Sequence, residues 1–362
     1  MKAAVVLEDG KIFEGKLFGD IRRKCVSGEV VFNTSISGYQ EIITDPSYRG
    51  QIVTMTYPLI GNYGINTEDA ESNRAHVEGL IIRELCDVPS NYRATDSLDG
   101  YFKKNGILGI TGVDTRALTR HIRLSGSMKG VITGDISSLE TIGGEARKVP
   151  DISGRDIVKE VTSKERSVWN DRGHLHISVL DCGVKYNILR NLSERGCRLT
   201  VLPAKTGSRE ILELDPDGVL LSNGPGDPEG AGYVHRTVRG ILGKVPIFGI
   251  CLGHQMMGLA LGGKTYKLKF GHHGGNHPVK DLKTGRVSIT SQNHCFCVDH
   301  DSLSGKGAEI THMNLNDNTV EGMENEELKF FSVQFHPEAG PGPYDAEYLF
   351  DKFVQMAGDH KK

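Results

Sequence analysis

The segment Gly249-Ile250-Cys251-Leu252-Gly253-His254-Gln255 is the most informative part of the sequence for the fold of this chain. It follows the apolar run 245–248, and we expect a helix to begin directly after the cysteine. A nucleophilic side chain between two glycines, at a turn from a strand into a helix, has the form of a nucleophile elbow. The glycines suit a tight, strained turn, and a helix N-terminus behind the sulfur favours the thiolate. The alternative is a buried structural cysteine, which is the commonest fate of a free thiol.

The sequence around this elbow alternates apolar runs with helical segments. The apolar runs are residues 177–180, 199–202, 218–221 and 245–248, and the helical segments lie near 186–195 and 234–242. This alternation predicts a parallel sheet with helices on both faces, in which reactive groups gather beyond the carboxyl ends of the strands.

The last apolar run, residues 330–335, ends at His336-Pro337-Glu338. Along an extended segment residues i and i+2 point to the same side, so Glu338 is expected to hydrogen-bond the imidazole of His336 and to select its tautomer. A nucleophile, a base and an orienting carboxylate then occur in the order Cys251, His336, Glu338. A solvated turn is the alternative for an isolated His-Pro-Glu sequence.

The turn after residues 218–221 is rich in glycine and reads Ser222-Asn223-Gly224-Pro225-Gly226-Asp227-Pro228. Its glycines allow bare backbone to approach a ligand, and its N–H groups are candidates for a second oxyanion donor. A plain surface turn is the alternative.

The first part of the chain has a different pattern of short strands and turns. Residues 3–18 predict a hairpin around Asp9-Gly10, and Asp114 is expected to cap a helix running through residue 122. Polar, aperiodic sequence at 151–173 predicts a linker. The fold class is therefore α/β: a smaller β-rich mixed α/β domain over 1–172 precedes a C-terminal parallel-sheet domain over 173–362.

Composition narrows the function further. The 362 residues carry 43 basic and 46 acidic side chains, for a net charge of -3, and the seven cysteines are widely scattered. This balance predicts neither a nucleic-acid partner nor a membrane partner. No apolar run is long enough to predict a signal peptide or a membrane span, so we expect a cytoplasmic protein with reduced thiols.

Together these motifs resemble the class I (triad-type) glutamine amidotransferases. More narrowly, the chain resembles the small-subunit family of glutamine-dependent carbamoyl-phosphate synthases over essentially its whole length. The narrower resemblance rests on the segments Phe-Gly-His-His-Gly-Gly-Asn-His-Pro-Val at 270–279, Ser-Gln-Asn-His at 291–294, Gly-Tyr-Gln-Glu-Ile at 38–42, Thr-Asp-Pro-Ser-Tyr at 44–48 and Gly-Ile-Thr-Gly-Val-Asp-Thr-Arg at 109–116.

The resemblance implies a C-terminal class I glutaminase domain that hydrolyses glutamine to glutamate and ammonia through a thioester on Cys251. It implies a heterodimer with a large subunit that receives the ammonia through a tunnel. That subunit would use Mg-ATP and bicarbonate to make carbamoyl phosphate, a ligase reaction serving pyrimidine and arginine biosynthesis, and no cofactor is expected in this chain.

The resemblance also assigns site residues. Gly224 and Leu252 would supply oxyanion N–H groups, and Ser47 would reach the glutamine site from the N-terminal domain. The remaining residues implied to line that site are Gly226, Gln255, Asn293, Cys295 and Phe296. Cys295 stands where the family usually has glycine, and a side chain there would be strained if φ were positive.

Two other motifs are interpreted as structural. Residues 258–265 fit a phosphate-loop expression, but they follow the helix begun at the elbow and lead into a strand, so the glycines indicate a helix C-terminus. We expect no metal, because two further groups lack the spacing of a structural zinc site. These groups are the histidines His272, His273 and His277 and the pair Cys295 and Cys297. The rival functions are a stand-alone cysteine amidohydrolase and a catalytically silent scaffold subunit.

Overall fold

A computed structural model describes residues 1–361 and divides them into two compact units. The first contains Met1–Ile152 together with Lys269–His273, and the second contains Ser153–Leu268 and the residues from Gly274 onward.

The boundary predicted at 172/173 therefore lies inside the second unit. The polar segment after Ile152 is not a free linker, since Thr162 Oγ1 donates to the backbone carbonyl of Asp181 at 2.6 Å. Residues 167–170 form a strand that pairs with the sheet of the second unit. The polar composition of residues 151–173 predicts a linker, but hydrogen bonds within the second unit hold this segment in place.

The first unit is built on a closed barrel. Its strands are β1 (Lys2–Leu7), β2 (Ile12–Gly19), β3 (Cys25–Asn33), β4 (Gln51–Met55), β5 (Leu59–Ile60), β6 (Gly79–Ile81), β7 (Glu84–Leu85), β8 (Leu108–Thr111) and β9 (Met128–Thr133). The barrel order is β1-β2-β8-β6-β4-β3-β9, with β9 pairing back to β1, while β5 and β7 form a separate two-stranded sheet. The predicted hairpin is confirmed: β1 and β2 are antiparallel around Asp9-Gly10, where Gly10 has a φ of 91°.

Helices and short 3-10 turns connect these strands. The helices are α1 (Tyr39–Thr44), α2 (Leu98–Asn105), α3 (Thr115–Ser125) and α4 (Leu139–Lys148). The Asp114 carboxylate accepts the N–H of Ala117 at 2.9 Å and begins α3, as its sequence predicts. Leu118 and Ile122, four residues apart on α3, are buried against the barrel strands, so one apolar face fixes the helix.

The second unit contains one ten-stranded sheet. Its strands are β10 (Ser167–Asn170), β11 (Leu175–Asp181), β12 (Cys197–Pro203), β13 (Gly218–Leu221), β14 (Ile247–Ile250), β15 (Thr265–Asp281), β16 (Val287–Val298), β17 (Glu309–Asn314), β18 (Val320–Asn325) and β19 (Phe330–Val333). The order is β10-β12-β11-β13-β14-β19-β18-β17-β15-β16. The neighbours from β12 to β19 are parallel, as predicted, whereas β18 and β17 extend the sheet with antiparallel pairing.

Helices cover both faces of the parallel strands. They are α5 (Tyr186–Glu194), α6 (Ser208–Glu213), α7 (Gly232–Ile241), α8 (Leu252–Ala260) and α9 (Tyr348–Lys361). One buried cluster joins the sheet to α5 and α9, and a second joins it to α6, α7 and α8. Phe248 stacks on Phe331 of the neighbouring strand at 4.4 Å between ring centroids and contacts Phe353 of α9. This packing holds the carboxyl ends of β14 and β19 side by side.

The phosphate-loop expression at 258–265 falls where α8 ends at Ala260 and β15 begins at Thr265. Gly262 has a φ of 85°, as expected after a helix C-terminus. Separately, none of the helices within residues 1–361 has the length and apolar character that crossing a membrane requires.

Candidate active site

Cys251 lies at a strained turn between β14 and α8. Its φ and ψ are 54° and -104°, outside the regions that side chains ordinarily adopt, and it is 1% exposed. The two flanking glycines allow this close packing. A Cβ on Gly253 would lie 2.2 Å from the carbonyl oxygen of Leu221, and one on Gly249 would lie 2.8 Å from that of Gly253. The elbow predicted from the sequence is therefore present.

His336 and Glu338 follow β19, the parallel neighbour of β14. His336 Nδ1 lies 2.6 Å from Glu338 Oε1, and both side chains are buried. The contact predicted from the i, i+2 spacing forms, but through a turn rather than an extended segment, because the N–H of Ala339 donates to the carbonyl of His336. The N–H of His336 donates to the carbonyl of Ser291 on β16 at 2.9 Å, which fixes the base from its other side.

The charges around His336 favour its protonated form. Burial lowers the pKa of the imidazole, but the Glu338 carboxylate and the Cys251 sulfur outweigh burial and raise the pKa well above its ordinary value. Nε2 of His336 is buried and makes no hydrogen bond of ordinary geometry within residues 1–361. That nitrogen is the one available to exchange a proton with a reacting group.

Lys185 is a member of this cluster that sequence reasoning missed. Its side chain is 2% exposed, and its Nζ lies 3.0 Å from Glu338 Oε1 and 2.6 Å from the carbonyl of Ala339. Burial raises the pKa of Glu338, but Lys185 and His336 together lower it below its ordinary value. Lys185 follows β11 and directly precedes α5, at the carboxyl edge of the sheet where the other groups gather. That position is the signal that would have found it.

The two predicted oxyanion residues lie near the sulfur-bearing turn. Leu252 is the first residue of α8, where helix N–H groups lack partners within the helix. Gly224 follows β13, and a Cβ there would lie 2.3 Å from the Cys182 carbonyl and 2.8 Å from the Leu252 side chain. Gly226 has a φ of 81°, which favours glycine. The glycine-rich turn is thus packed against the start of α8 rather than loose on the surface.

Strand β16 brings three predicted glutamine-binding residues to Cys251. The Cys251 thiol lies 3.6 Å from the Asn293 carbonyl, and Gln255 Nε2 donates to the Phe296 carbonyl at 2.7 Å. Cys295 lies between Asn293 and Phe296 on β16 and is buried. It is not one of the residues with positive φ within residues 1–361. A side chain at this position is therefore free of the strain considered for a glycine site.

Ser47 belongs to the first unit. It lies in the 3-10 helix Pro46–Tyr48, which begins where the Asp45 carboxylate accepts the Ser47 N–H at 2.8 Å. Its side chain is buried. Its contribution to glutamine binding stays a prediction.

Comparisons with known proteins agree with this geometry. The family description "Glutamine amidotransferase class-I" matches residues 178–356, and "Carbamoyl-phosphate synthase small chain, CPSase domain" matches residues 5–132. The chain is 55% identical over 370 residues to the carbamoyl phosphate synthase small chain of Syntrophotalea carbinolica, covering 98% of both chains.

Other relatives are similar over the same length. The carbamoyl phosphate synthase small chain of Clostridium perfringens is 54% identical, covering 99% of this chain and 100% of that one. The corresponding protein of Akkermansia muciniphila is 51% identical, covering 100% and 99%. The chain therefore belongs to the carbamoyl phosphate synthase small chain family and carries a class I glutamine amidotransferase domain.

Proposed function

We propose that this chain hydrolyses L-glutamine to L-glutamate and ammonia, with Cys251 as nucleophile, His336 as acid and base, and Glu338 as the group that orients His336. The observation that carries the proposal is the buried 2.6 Å contact between His336 and Glu338, beside a strained cysteine turn at the end of the adjacent strand.

In the first half-reaction the Cys251 sulfur attacks the side-chain amide carbon of glutamine. The carbonyl oxygen takes up negative charge, which the N–H groups of Gly224 and Leu252 would stabilise. The carbon–nitrogen bond then breaks, and His336 donates a proton from Nε2 to the departing nitrogen, which leaves as ammonia. A thioester on Cys251 remains.

In the second half-reaction His336 accepts a proton from water, and the water oxygen attacks the thioester carbon. The carbon–sulfur bond breaks, glutamate forms and the thiolate returns. Glu338 keeps Nδ1 of His336 protonated through both steps, and Lys185 keeps Glu338 ionised. The pocket would be lined by Gly226, Gln255, Asn293, Cys295 and Phe296, with Ser47 as a further predicted contributor.

The ammonia is passed to a large subunit in a cytoplasmic heterodimer. Support comes from the near-complete match to proteins named as small chains, which accounts for the N-terminal region as well as the glutaminase region. The large subunit would bind Mg-ATP and combine ammonia with bicarbonate into carbamoyl phosphate for pyrimidine and arginine biosynthesis.

The test is steady-state release of the acid product from a panel of amides, with and without the large subunit. We expect glutamine to be strongly preferred and the chain to co-purify with an ATP-using synthetase. Comparable hydrolysis of unrelated amides without any synthetase would favour a stand-alone cysteine amidohydrolase. No hydrolysis of glutamine in either state would favour a silent scaffold.

A further inference from the structure

A second buried polar cluster lies behind the proposed glutamine site, and its one carboxylate is Glu321 on β18. Glu321 is 0% exposed. Its Oε2 accepts from Gln292 Nε2 at 2.9 Å, and its Oε1 accepts from Asn314 Nδ2 at 2.9 Å. A buried charge that is held by oriented amides imposes their orientation, because a flipped amide would turn an oxygen toward the carboxylate.

The orientation of Gln292 determines what His294 meets. With its NH₂ group committed to Glu321, Gln292 turns Oε1 toward Nε2 of His294 at 2.9 Å. The other ring nitrogen, Nδ1, lies 2.8 Å from the backbone carbonyl of Phe296. Both oxygens can accept from the ring only if both of its nitrogens carry a proton, so this arrangement favours the imidazolium form of His294.

The chain of contacts ends in the proposed substrate pocket. The Phe296 carbonyl that accepts from His294 also accepts from Gln255 Nε2 at 2.7 Å, and the same Nε2 lies 3.1 Å from Gln334 Oε1. Glu321 also bonds to Gln334 directly, since the backbone carbonyl of Glu321 accepts the Gln334 N–H at 2.9 Å. Phe296 and Gln255 are both proposed to line the glutamine site.

We propose that Glu321 is a positioning residue for glutamine binding, which acts through Gln292 and a protonated His294 on the Phe296 carbonyl and the Gln255 side chain. This inference rests on the proposed glutaminase function and goes beyond it, because Glu321 contacts neither Cys251 nor His336 in the relay described. Its effect falls on substrate affinity, since the relay ends on pocket groups and not on the reacting carbonyl.

The test compares Glu321→Gln with Glu324→Gln in the intact heterodimer. Glu324 is a matched control, since it lies on the same strand, is buried and pairs with Lys352 at 2.7 Å, but within residues 1–361 its carboxylate makes no hydrogen bond to Gln292, His294 or Phe296. We expect Glu321→Gln to raise the glutamine KM about tenfold or more, the effect of losing a charge-assisted hydrogen bond, and to keep kcat and ammonium-driven synthesis near wild type. Glu324→Gln should change neither constant.

An unchanged KM in folded Glu321→Gln would overturn the proposal, as would equal losses of kcat and of folded fraction. If Glu321→Gln does not fold, Gln292→Met tests the same relay while leaving the contact between Glu321 and Asn314, and an unchanged KM would again overturn it.

Nitrogen NMR of labelled histidine gives a second readout: we expect His294 to carry two protons in the wild type, and a neutral ring would contradict the relay. A wild-type heterodimer unable to hydrolyse glutamine would reject the proposed function instead.

Discussion

The turns after β14 and β19 lie side by side but are held in place by different physics. The two strands are parallel, with Ile250 opposite Val333. The first turn places Cys251 by steric contact, through glycines with no room for a Cβ and a backbone at positive φ. The second places His336 largely by charge, through a buried Glu338 that receives hydrogen bonds from both His336 and Lys185.

Because the two turns are held differently, substitutions should disrupt them in different ways. A sterically held turn tolerates a change of reacting atom but no added bulk, because its neighbours are backbone atoms that cannot move aside. A turn held by charge tolerates a substitution of similar shape but suffers when one partner of a buried pair is removed. Substitutions at the two turns should separate these two behaviours.

Cys251→Ala removes the reacting sulfur and leaves the turn. Glutamine hydrolysis should fall by about 10⁴-fold or more, because the proposed nucleophile at the elbow is gone. The heterodimer should still make carbamoyl phosphate from ammonium chloride, since that nitrogen needs no release step. Carbamoyl phosphate and glutamate are measured with each nitrogen source. Glutamine-driven synthesis that persists would reject the mechanism, and loss of ammonium-driven synthesis in a folded complex would reject the division of labour between subunits.

His336→Asn and Glu338→Gln test the turn held by charge. Removing the acid and base should lower kcat by roughly 10²–10⁴-fold, and Glu338→Gln should cost less, because the imidazole stays but its orientation and tautomer are no longer imposed. Much of the glutamine binding should survive in Glu338→Gln. Steady-state kinetics of both variants decide the matter, and near-wild-type kcat in both would mean that the triad has been assigned wrongly.

Lys185→Met leaves the Glu338 charge with one partner fewer. A carboxyl whose pKa is lowered on folding stabilises the fold at pH above its unfolded value, and that contribution is lost as pH falls through the folded pKa. Removing Lys185, the largest cause that lowers the Glu338 pKa, should move this loss to higher pH and cost about 3–5 kcal/mol of unfolding free energy near neutral pH.

Urea unfolding at a series of pH values measures this effect. The control is Lys352→Met, whose pair with Glu324 is half-exposed and should contribute under about 1 kcal/mol. Equal losses of unfolding free energy in the two lysine variants would show that the pair of Lys185 with Glu338 contributes no more than a surface ion pair.

Gly253→Ala adds one carbon to the sterically held turn. The new Cβ would meet the Leu221 carbonyl at 2.2 Å, so we expect a loss of about 1–3 kcal/mol in unfolding free energy and a displaced Cys251. Gly207→Ala is the matched control, because no atom of residues 1–361 lies within 4 Å of its added Cβ. If Gly253→Ala and Gly207→Ala had equal unfolding free energies, steric contact at Gly253 would not explain the elbow.

Cys295→Gly should have the smallest effect. Because Cys295 lies on β16 without backbone strain, the fold should stay intact. The glutamine KM should change by roughly tenfold or less, the scale of one small side chain, and by more than kcat changes. An unaltered KM with a large drop in kcat would place Cys295 nearer the reacting carbonyl than we propose.

Local patterns in the sequence determined much of the second unit. The strand of residues 218–221 and a helix beginning at Tyr186 lie where their apolar patterns predict them. The elbow and the pair of His336 with Glu338 are also local, since glycine flanks and a two-residue spacing specify each one within a few residues. Short-range sterics and side-chain periodicity act along the chain, and so they can be deduced from the order of residues.

Which distant residues meet these motifs depends on the tertiary structure. Lys185 reaches Glu338 across 153 positions, and Glu321 reaches Gln292 because β16 and β18 fold into the same sheet. The composition of the segment after Ile152 predicts a linker, yet the side chain of Thr162 and the backbone of residues 167–170 hydrogen-bond to the sheet of the second unit. Each of these contacts depends on strand order and register. Those are set by the packing of the whole core, and no local pattern encodes them.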